Sequence, residues 1–297
     1  KYRKTGTDFD SQEVREFCEE LSAERKSSGS NQNAKVCVDA IPMFFSDGSK
    51  VKNYNHLRES IAAIVVYSLT KYIGGHGNSI GGLIIDSGNF DWEGAGKERQ
   101  PALNTPDSTY GGAVWVDAVK PIGPIAYIIK ARVTLLRDLG GALSPFNAFL
   151  ILQGLETISL RMKTHCENAS KVAHFLENHK SVDHVIYPEL QTGISKENAV
   201  KYLNKGFGGL VGFELKGGAE AGKKFIDNLK LFYHVANIGD SRSLAIHPAT
   251  TTHSQLSSED KLKSGVSDSY VRLSVGIEHI DDIVDDLAEA LEKSQEK

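Results

Sequence analysis

Lys71 stands between a run of apolar residues and a loop rich in glycine, where its amine could take part in chemistry. The apolar run, residues 61–67, predicts a buried strand of a parallel sheet. A charged amine at the end of such a strand is costly unless its charge is paired or removed. A Schiff base with an aldehyde cofactor would remove the charge, and a desolvated lysine of lowered pKa suits that reaction.

The residues beside Lys71 could bind an anion. Ser68 and Thr70 lie two positions apart, so both hydroxyls can face one anion, and the glycines from Gly74 onward let backbone amides approach it. The pattern is compatible with a site for pyridoxal 5'-phosphate (PLP) and, about equally, with an exposed lysine in a glycine-rich turn. A dinucleotide-binding loop fits less well, because the glycines of residues 75–81 are spaced one residue too far.

Two further charged residues lie in predicted strands. Asp39 is near the end of residues 36–41, where its carboxylate could keep a pyridine nitrogen protonated and so make the ring an electron sink; capping a turn is the alternative role. Arg272 lies within an otherwise apolar strand, residues 270–275, and a buried arginine needs a carboxylate or phosphate partner. That partner could be a substrate or an acid of the same chain, such as Glu278.

Composition and charge narrow the class of protein. The net charge of the 297 residues is −4 and no basic block occurs, which argues against nucleic acid as the main partner. No apolar run reaches the ~18 residues of a membrane span, and the first residues lack a signal-peptide core. Three cysteines lie without metal or redox spacing, and His247 and His253 have no third ligand nearby, so no metal site is predicted. A soluble cytoplasmic enzyme is the simplest expectation.

The order of predicted elements indicates two domains. A helix over residues 10–21 and strands over residues 36–41, 61–67 and 82–85 alternate as in a parallel α/β sheet, whereas residues 93–110 are polar and irregular. A long helical pattern begins at Ser144-Pro145 and runs, with room for a break, to residue 176, as a connector between domains. Strands over residues 209–215 and 270–275 and helices over residues 219–229 and 280–291 follow, which predicts a small α+β domain. We place the large domain at residues 1–157, connector helix included, and the small one at residues 158–297.

The lysine segment, Ser-Leu-Thr-Lys-Tyr-Ile-Gly-Gly-His-Gly from Ser68 to Gly77, resembles the signature of the cysteine/methionine-metabolism family of PLP enzymes. The resemblance extends from about residue 36 to the C-terminus. It implies an α/β chain of the aspartate-aminotransferase-like fold (type I), with an N-terminally incomplete large domain. It also implies that Lys71 carries PLP and shuttles protons, that Ser68 and Thr70 bind the phosphate, and that Asp39 binds the pyridine nitrogen. The context of Asp39, Val-Asp-Ala-Ile, departs from the family's Val-Asp-Asn-Thr.

The same resemblance supplies the substrate-binding residues and the reaction. Arg-Leu-Ser-Val-Gly from Arg272 is similar to the family's substrate-carboxylate arginine, and Asn237 aligns with a position that helps to bind that carboxylate. Residues 143–157 and 243–256 resemble the sulfhydrylase branch of the family. That branch implies γ-replacement on O-acetyl-L-homoserine by sulfide or a thiol, in methionine and cysteine biosynthesis, by a homo-oligomer that is a tetramer by analogy.

Part of the family pattern does not occur in this sequence. Relatives are longer by roughly a third, and their additional N-terminal part supplies a Ser-Gly phosphate loop and the tyrosine that stacks on the cofactor. We therefore expect a fragment of a longer protein or a reduced form with poor cofactor affinity. Three alternatives stay open: cystathionine γ-synthase or γ-lyase activity, a non-catalytic fragment or partner subunit of a full-length PLP enzyme, and a plain nucleotide-binding α/β protein.

Overall fold

The computed structural model describes residues 64–94, 97–203 and 205–296. The predicted helix over residues 10–21 and the strand that carries Asp39 lie outside the described residues. The described chain forms two compact units, one of residues 64–68 and 81–148 and the other of residues 69–80 and 149–296. The loop of Lys71 thus groups by its contacts with the C-terminal unit. The domain boundary after residue 157 remains a prediction.

The first unit contains an antiparallel strand pair, β1 (Ile64–Ser68) and β2 (Gly82–Asp86). Ile64 pairs with Asp86 and Ser68 with Gly82. Both strands were predicted, and the one pairing of β1 among the described residues, with β2, is antiparallel. The chain between them has turns and no helix. Parallel pairing needs a long crossover, usually a helix, so this connection instead returns the chain antiparallel.

Short helical segments and an apolar core complete the first unit. Trp92, Trp115 and Leu103 are buried together with Ile64 of β1. The Trp115 indole and the Lys130 amine both donate to the Asp107 carboxylate, at 2.9 Å each. The segments are α1 (Pro101–Asn104), the 3-10 turns Ser108–Tyr110 and Lys120–Ile122, α2 (Trp115–Val119), α3 (Ala126–Lys130) and the π-helical segment Ala131–Asp138.

The predicted long helical pattern forms two helices, α4 (Pro145–Glu156) and α5 (Ile158–Glu177). The break falls at Thr157, whose hydroxyl donates to the Gly154 carbonyl at 3.3 Å. Such a side-chain bond to the preceding turn competes with regular helix geometry. The predicted helical region and its break are both confirmed.

A five-stranded sheet forms the centre of the second unit, in the order β3-β4-β7-β6-β5. All neighbouring strands are antiparallel except β5 and β6. The strands are β3 (Val182–Ile186), β4 (Leu210–Leu215), β5 (Tyr233–His234), β6 (Leu244–Ile246) and β7 (Tyr270–Ser274). Two of the sequence-predicted strands are therefore β4 and β7, and they lie side by side.

Helices cover this sheet and bury its apolar residues. Phe213 of β4 and Phe225 meet edge to face at 5.4 Å between ring centroids, and both are fully buried with Leu273 and Leu287. The remaining helices are α6 (Gly193–Tyr202), α7 (Gly218–Asn228), α8 (Ser258–Lys263) and α9 (Ile280–Ser294), with 3-10 turns at Pro188–Leu190 and Pro248–Thr250. The α+β character predicted for this part is confirmed.

Across the described ranges, no helix combines the length and apolar character needed to cross a membrane. The same ranges contain no group of three His, Cys, Asp or Glu side chains placed to hold a metal ion.

Candidate functional site

The residues around Lys71 form a tight turn in the second unit. The Gly74 amide donates to the Leu69 carbonyl at 2.9 Å, and the Gly75 amide donates to the Lys71 carbonyl at 2.8 Å. Gly75 has a φ of +70°, a left-handed conformation that residues with a side chain rarely adopt. These bonds fix the main chain on both sides of Lys71, whose side chain is half-buried.

Three of the sequence-predicted site residues meet at this turn. The Lys71 amine donates to the Asn237 side-chain oxygen, in the segment between β5 and β6. The Arg272 guanidinium, from the middle of β7, donates to the main-chain carbonyl of Asn237 at 3.3 Å. Asn237 thus lies between the amine and the guanidinium, and links two residues that are far apart in the chain.

Burial and charge together lower the pKa of the lysine. Desolvation is the larger cause of the lowered pKa of Lys71, and the positive charge of Arg272 is the second. Burial also lowers the pKa of Arg272, against the effect of Tyr270 and Tyr72. More of the Lys71 amine is therefore neutral near pH 7 than in a free lysine, as a nucleophile or base requires.

Arg272 retains capacity for an anionic ligand. Glu278, the acid of this chain weighed as its partner, instead accepts from the Ser243 amide at 2.6 Å and from the Ser243 hydroxyl at 2.9 Å. Among the described residues no carboxylate lies within 4.0 Å of Arg272, and its buried Nε has no hydrogen-bond partner. A bound carboxylate or phosphate group would pair with the guanidinium charge and accept a hydrogen bond from Nε.

The segment after Asn237 holds the lysine turn from the side of the sheet. Ser241 donates twice to the Gly75 carbonyl, from its amide at 2.8 Å and its hydroxyl at 2.7 Å. Gly239 donates its amide to the Ser274 hydroxyl at 2.9 Å. A Cβ on Gly239 would lie 2.7 Å from the Tyr72 amide nitrogen, so only glycine allows the two backbones to come this close.

The hydrogen bonds that join Lys71, Asn237 and Arg272 do not include the other predicted cofactor residues. Ser68 is the last residue of β1 in the first unit and is exposed, whereas Thr70 is half-buried beside Lys71 in the second. Asp39 lies outside the described residues. Their roles toward the phosphate and the pyridine nitrogen stay predictions.

Sequence reasoning missed Arg161, which is buried against the lysine turn. Its guanidinium donates to the carbonyl of Tyr72 at 2.8 Å and to that of Ile73 at 3.2 Å. A signal for it exists in the sequence, because Arg161 and His165 fall on the same stripe of α5 as buried Ile158. A charged residue on the apolar stripe of a helix needs a buried partner.

The sequence of the chain is similar to a known family of enzymes and to individual members of it. The family model described as "Cys/Met metabolism PLP-dependent enzyme" matches residues 29–292. O-acetyl-L-homoserine sulfhydrylase of Leptospira meyeri is 54% identical over 236 residues, which are 77% of this chain and 53% of that protein. Homocysteine synthase of Schizosaccharomyces pombe is 48% identical over 231 residues, covering 78% of this chain and 53% of its own length.

The fold of the chain is also similar to that of a solved structure. The crystal structure of a putative O-acetylhomoserine (thiol)-lyase from Campylobacter jejuni, which carries a pyridoxyl-lysine monophosphate, aligns with a TM-score of 0.72 at 41% identity. The alignment covers 80% of this chain and 55% of that one, so the chain spans about half the length of the relatives it matches. The PLP-type fold expected from the lysine segment is confirmed. With a family model that spans most of its length and a PLP-enzyme neighbour of the same fold, the chain belongs to the Cys/Met-metabolism family of PLP-dependent enzymes.

Proposed function

We propose that the protein catalyses PLP-dependent γ-replacement: O-acetyl-L-homoserine and sulfide give homocysteine and acetate, and a thiol in place of sulfide gives a thioether. The observation that carries the proposal is the convergence of the Lys71 amine and the Arg272 guanidinium on Asn237. It occurs in a chain 45–54% identical to proteins named as sulfhydrylases.

The described residues fit a PLP site. Lys71 offers a half-buried amine of lowered pKa, and Arg272 offers a buried donor without a partner for an anion. Lys71, Ser68, Thr70 and Asp39 would hold the cofactor. When bound, PLP supplies an electron sink for negative charge developed on the substrate carbon.

Lys71, Asn237 and Arg272 then have separate roles in binding the substrate and moving its protons. The neutral Lys71 amine accepts and returns protons at Cα and Cβ of the substrate, and the Asn237 oxygen holds that amine in place. Arg272 holds the α-carboxylate, since its planar fork matches a carboxylate and no acid of the described chain occupies it. With the substrate fixed in this way, acetate departs from Cγ and sulfide enters at the same carbon.

An absorbance spectrum of the purified chain with added PLP tests the cofactor site. We expect a visible band that is lost in Lys71→Ala and retained in Lys163→Ala, a matched control whose side chain is exposed on α5. No band in the unchanged chain would contradict PLP binding by this chain alone. The non-catalytic partner subunit would then be the better explanation.

Product analysis tests the reaction. Incubation with O-acetyl-L-homoserine and sulfide should yield homocysteine and acetate in equal amounts, with loss of activity in Arg272→Leu through a raised KM. Turnover of cystathionine or methionine in its place would identify a γ-lyase, and cystathionine formation from cysteine would identify a γ-synthase.

We also propose that the protein is a homo-oligomer, a tetramer by analogy with the family, that acts in the cytoplasm. The exposed apolar side chains of α4, Phe149 at 53% and Leu152 at 58% relative exposure, support a protein contact there. Light scattering measures the mass in solution, and a monomeric mass would contradict the assembly. Cell fractionation tests the location.

A further inference from the structure

Arg161 makes an unusual set of contacts for a buried cation. It is 5% exposed, and its guanidinium donates to the main-chain carbonyls of Tyr72, Ile73 and Gly154 at 2.8, 3.2 and 2.6 Å. Its Nε donates to the Thr157 hydroxyl at 3.2 Å. The planar fork thereby joins the residues directly after Lys71 to the end of α4.

Two glycines make room for this arrangement. A Cβ on Gly75 would clash with the Arg161 guanidinium, with Nη2 only 2.8 Å away. A Cβ on Gly154 would lie 2.6 Å from the Ile73 carbonyl oxygen and 2.7 Å from the Gly74 carbonyl carbon. The lysine turn therefore packs backbone to backbone against α4, and the guanidinium fills the space between them.

Burying a guanidinium is costly, and carbonyl acceptors offset that cost only when several are held in the plane of the fork. The carbonyls of Tyr72 and Ile73 are two such acceptors and follow Lys71 directly. Ser241, in the segment between β5 and β6, donates to the carbonyl of Gly75 in the same turn. The main chain next to the lysine is thus held by contacts from two different parts of the chain.

We propose that Arg161 is a positioning residue, which fixes the main chain after Lys71 and thereby determines where the lysine amine stands relative to Asn237 and Arg272. Arg161 acts through the loop and touches no reacting atom. Its effect on turnover rests on the proposed function, whereas its effect on the Lys71 amine does not.

The test measures the amine of Lys71 in the chain without PLP. The rate of Lys71 modification by a small acylating reagent is followed against pH by peptide mass spectrometry. Three variants are compared: Arg161→Met, which keeps a long side chain without donors, Arg161→Lys, and Arg137→Met, a matched control at an exposed arginine. In the unchanged chain we expect this inflection below that of a free lysine, because burial and then the charge of Arg272 lower the pKa of Lys71.

We expect the inflection of Arg161→Met to move up toward that of a free lysine, because a loosened turn lets water reach the amine. Arg161→Lys should fall between, since one ammonium cannot reach three carbonyls in a plane. Arg137→Met should match the unchanged chain. With PLP and substrate, kcat of Arg161→Met should fall about 10- to 100-fold with a smaller change in KM, as for a misplaced catalytic group.

An unchanged inflection in folded Arg161→Met would overturn the proposal. Should that variant not fold, Thr157→Val removes only the hydroxyl that orients the guanidinium, and it should shift the inflection less but in the same direction. An unshifted profile in Thr157→Val would then overturn it. If the unchanged chain gives no PLP band, the proposed function fails while the amine profile still decides the role of Arg161.

Discussion

Asp286 offers a sharp test of how the site is supported, because its carboxylate holds the chain that leads to Asn237. It lies in α9, is 8% exposed, and accepts backbone amides from Lys230 at 2.8 Å, Leu231 at 3.0 Å and Phe232 at 3.3 Å. Those residues enter β5, after which the chain continues to Asn237. Asp286→Asn keeps the shape and turns at least one acceptor into a donor that faces an amide.

The magnitude follows from these bonds. A hydrogen bond to a charged group contributes about 1.5–3 kcal/mol, and a buried donor left without a partner costs about 1–3 kcal/mol. Without the carboxylate, the Lys230 amide can donate to water because that residue is exposed, whereas the Phe232 amide cannot because Phe232 is buried. We therefore expect Asp286→Asn to lower the free energy of unfolding by about 2–3 kcal/mol, a large part of the ~5–15 kcal/mol of an ordinary domain.

Urea denaturation followed by far-UV circular dichroism measures this loss. Asp285→Asn is the control, since Asp285 is the exposed neighbour on the same helix and its change should stay within about 0.5 kcal/mol. Equal stability of the two variants would refute the reasoning. It would mean that the carboxylate contributes nothing beyond its charge on α9.

Two pH measurements test other groups of the second unit. The side-chain carboxyl of Glu289 should titrate at about 2 by NMR, because hydrogen bonds from Lys230 and then Lys293 lower its pKa. The stability that these contacts add is present above the ordinary pKa of a glutamate and is lost as the pH falls through about 2. Titration at an ordinary value would show that the contacts do not persist in solution. His165 should stay neutral in the folded chain down to about pH 4, because burial lowers its pKa against the effect of its bond to the Val275 carbonyl. The unfolded chain binds a proton at this histidine at higher pH than the folded chain, so the stability should fall as the pH drops from about 6.5 to 4. An imidazolium signal at pH 6 in the folded protein would contradict this.

Site residues could be predicted from the sequence where a charged side chain would be costly to bury. Lys71 and Arg272 stood out because each charge lay beside or within an apolar strand, and the structure brings both to Asn237. Their meeting could not be predicted from spacing, since the contact between Lys71 and Asn237 joins residues 166 positions apart. Only the family resemblance suggested that Asn237 and Arg272 serve one site.

Strand existence was easier to predict than strand direction. The apolar run before Lys71 showed that a strand was there, but its pairing with β2 depends on how the intervening chain turns. The glycine-rich turn was interpreted as a ligand-binding loop, and its consequence for the direction of the next strand was not drawn. Arg161 was missed because its place on the apolar stripe of α5 was not used, and because the Tyr72 and Ile73 carbonyls to which it donates are main-chain groups that no motif marks.

The spread of the turn's contacts along the chain has a consequence for biosynthesis. Lys71 is translated before Arg161 and Ser241, which lie far downstream of it, and the Ser241 carbonyl accepts a hydrogen bond from the amide of Ile277. Long-range contacts of this kind form slowly because loop closure must precede them. At about 5–20 residues per second, the ribosome needs roughly 10–40 s to add the residues between Lys71 and Ile277. Until Ile277 has been added, the set of contacts that holds the lysine loop is incomplete, so a chain released before Ile277 should carry the signature lysine without a fully formed site.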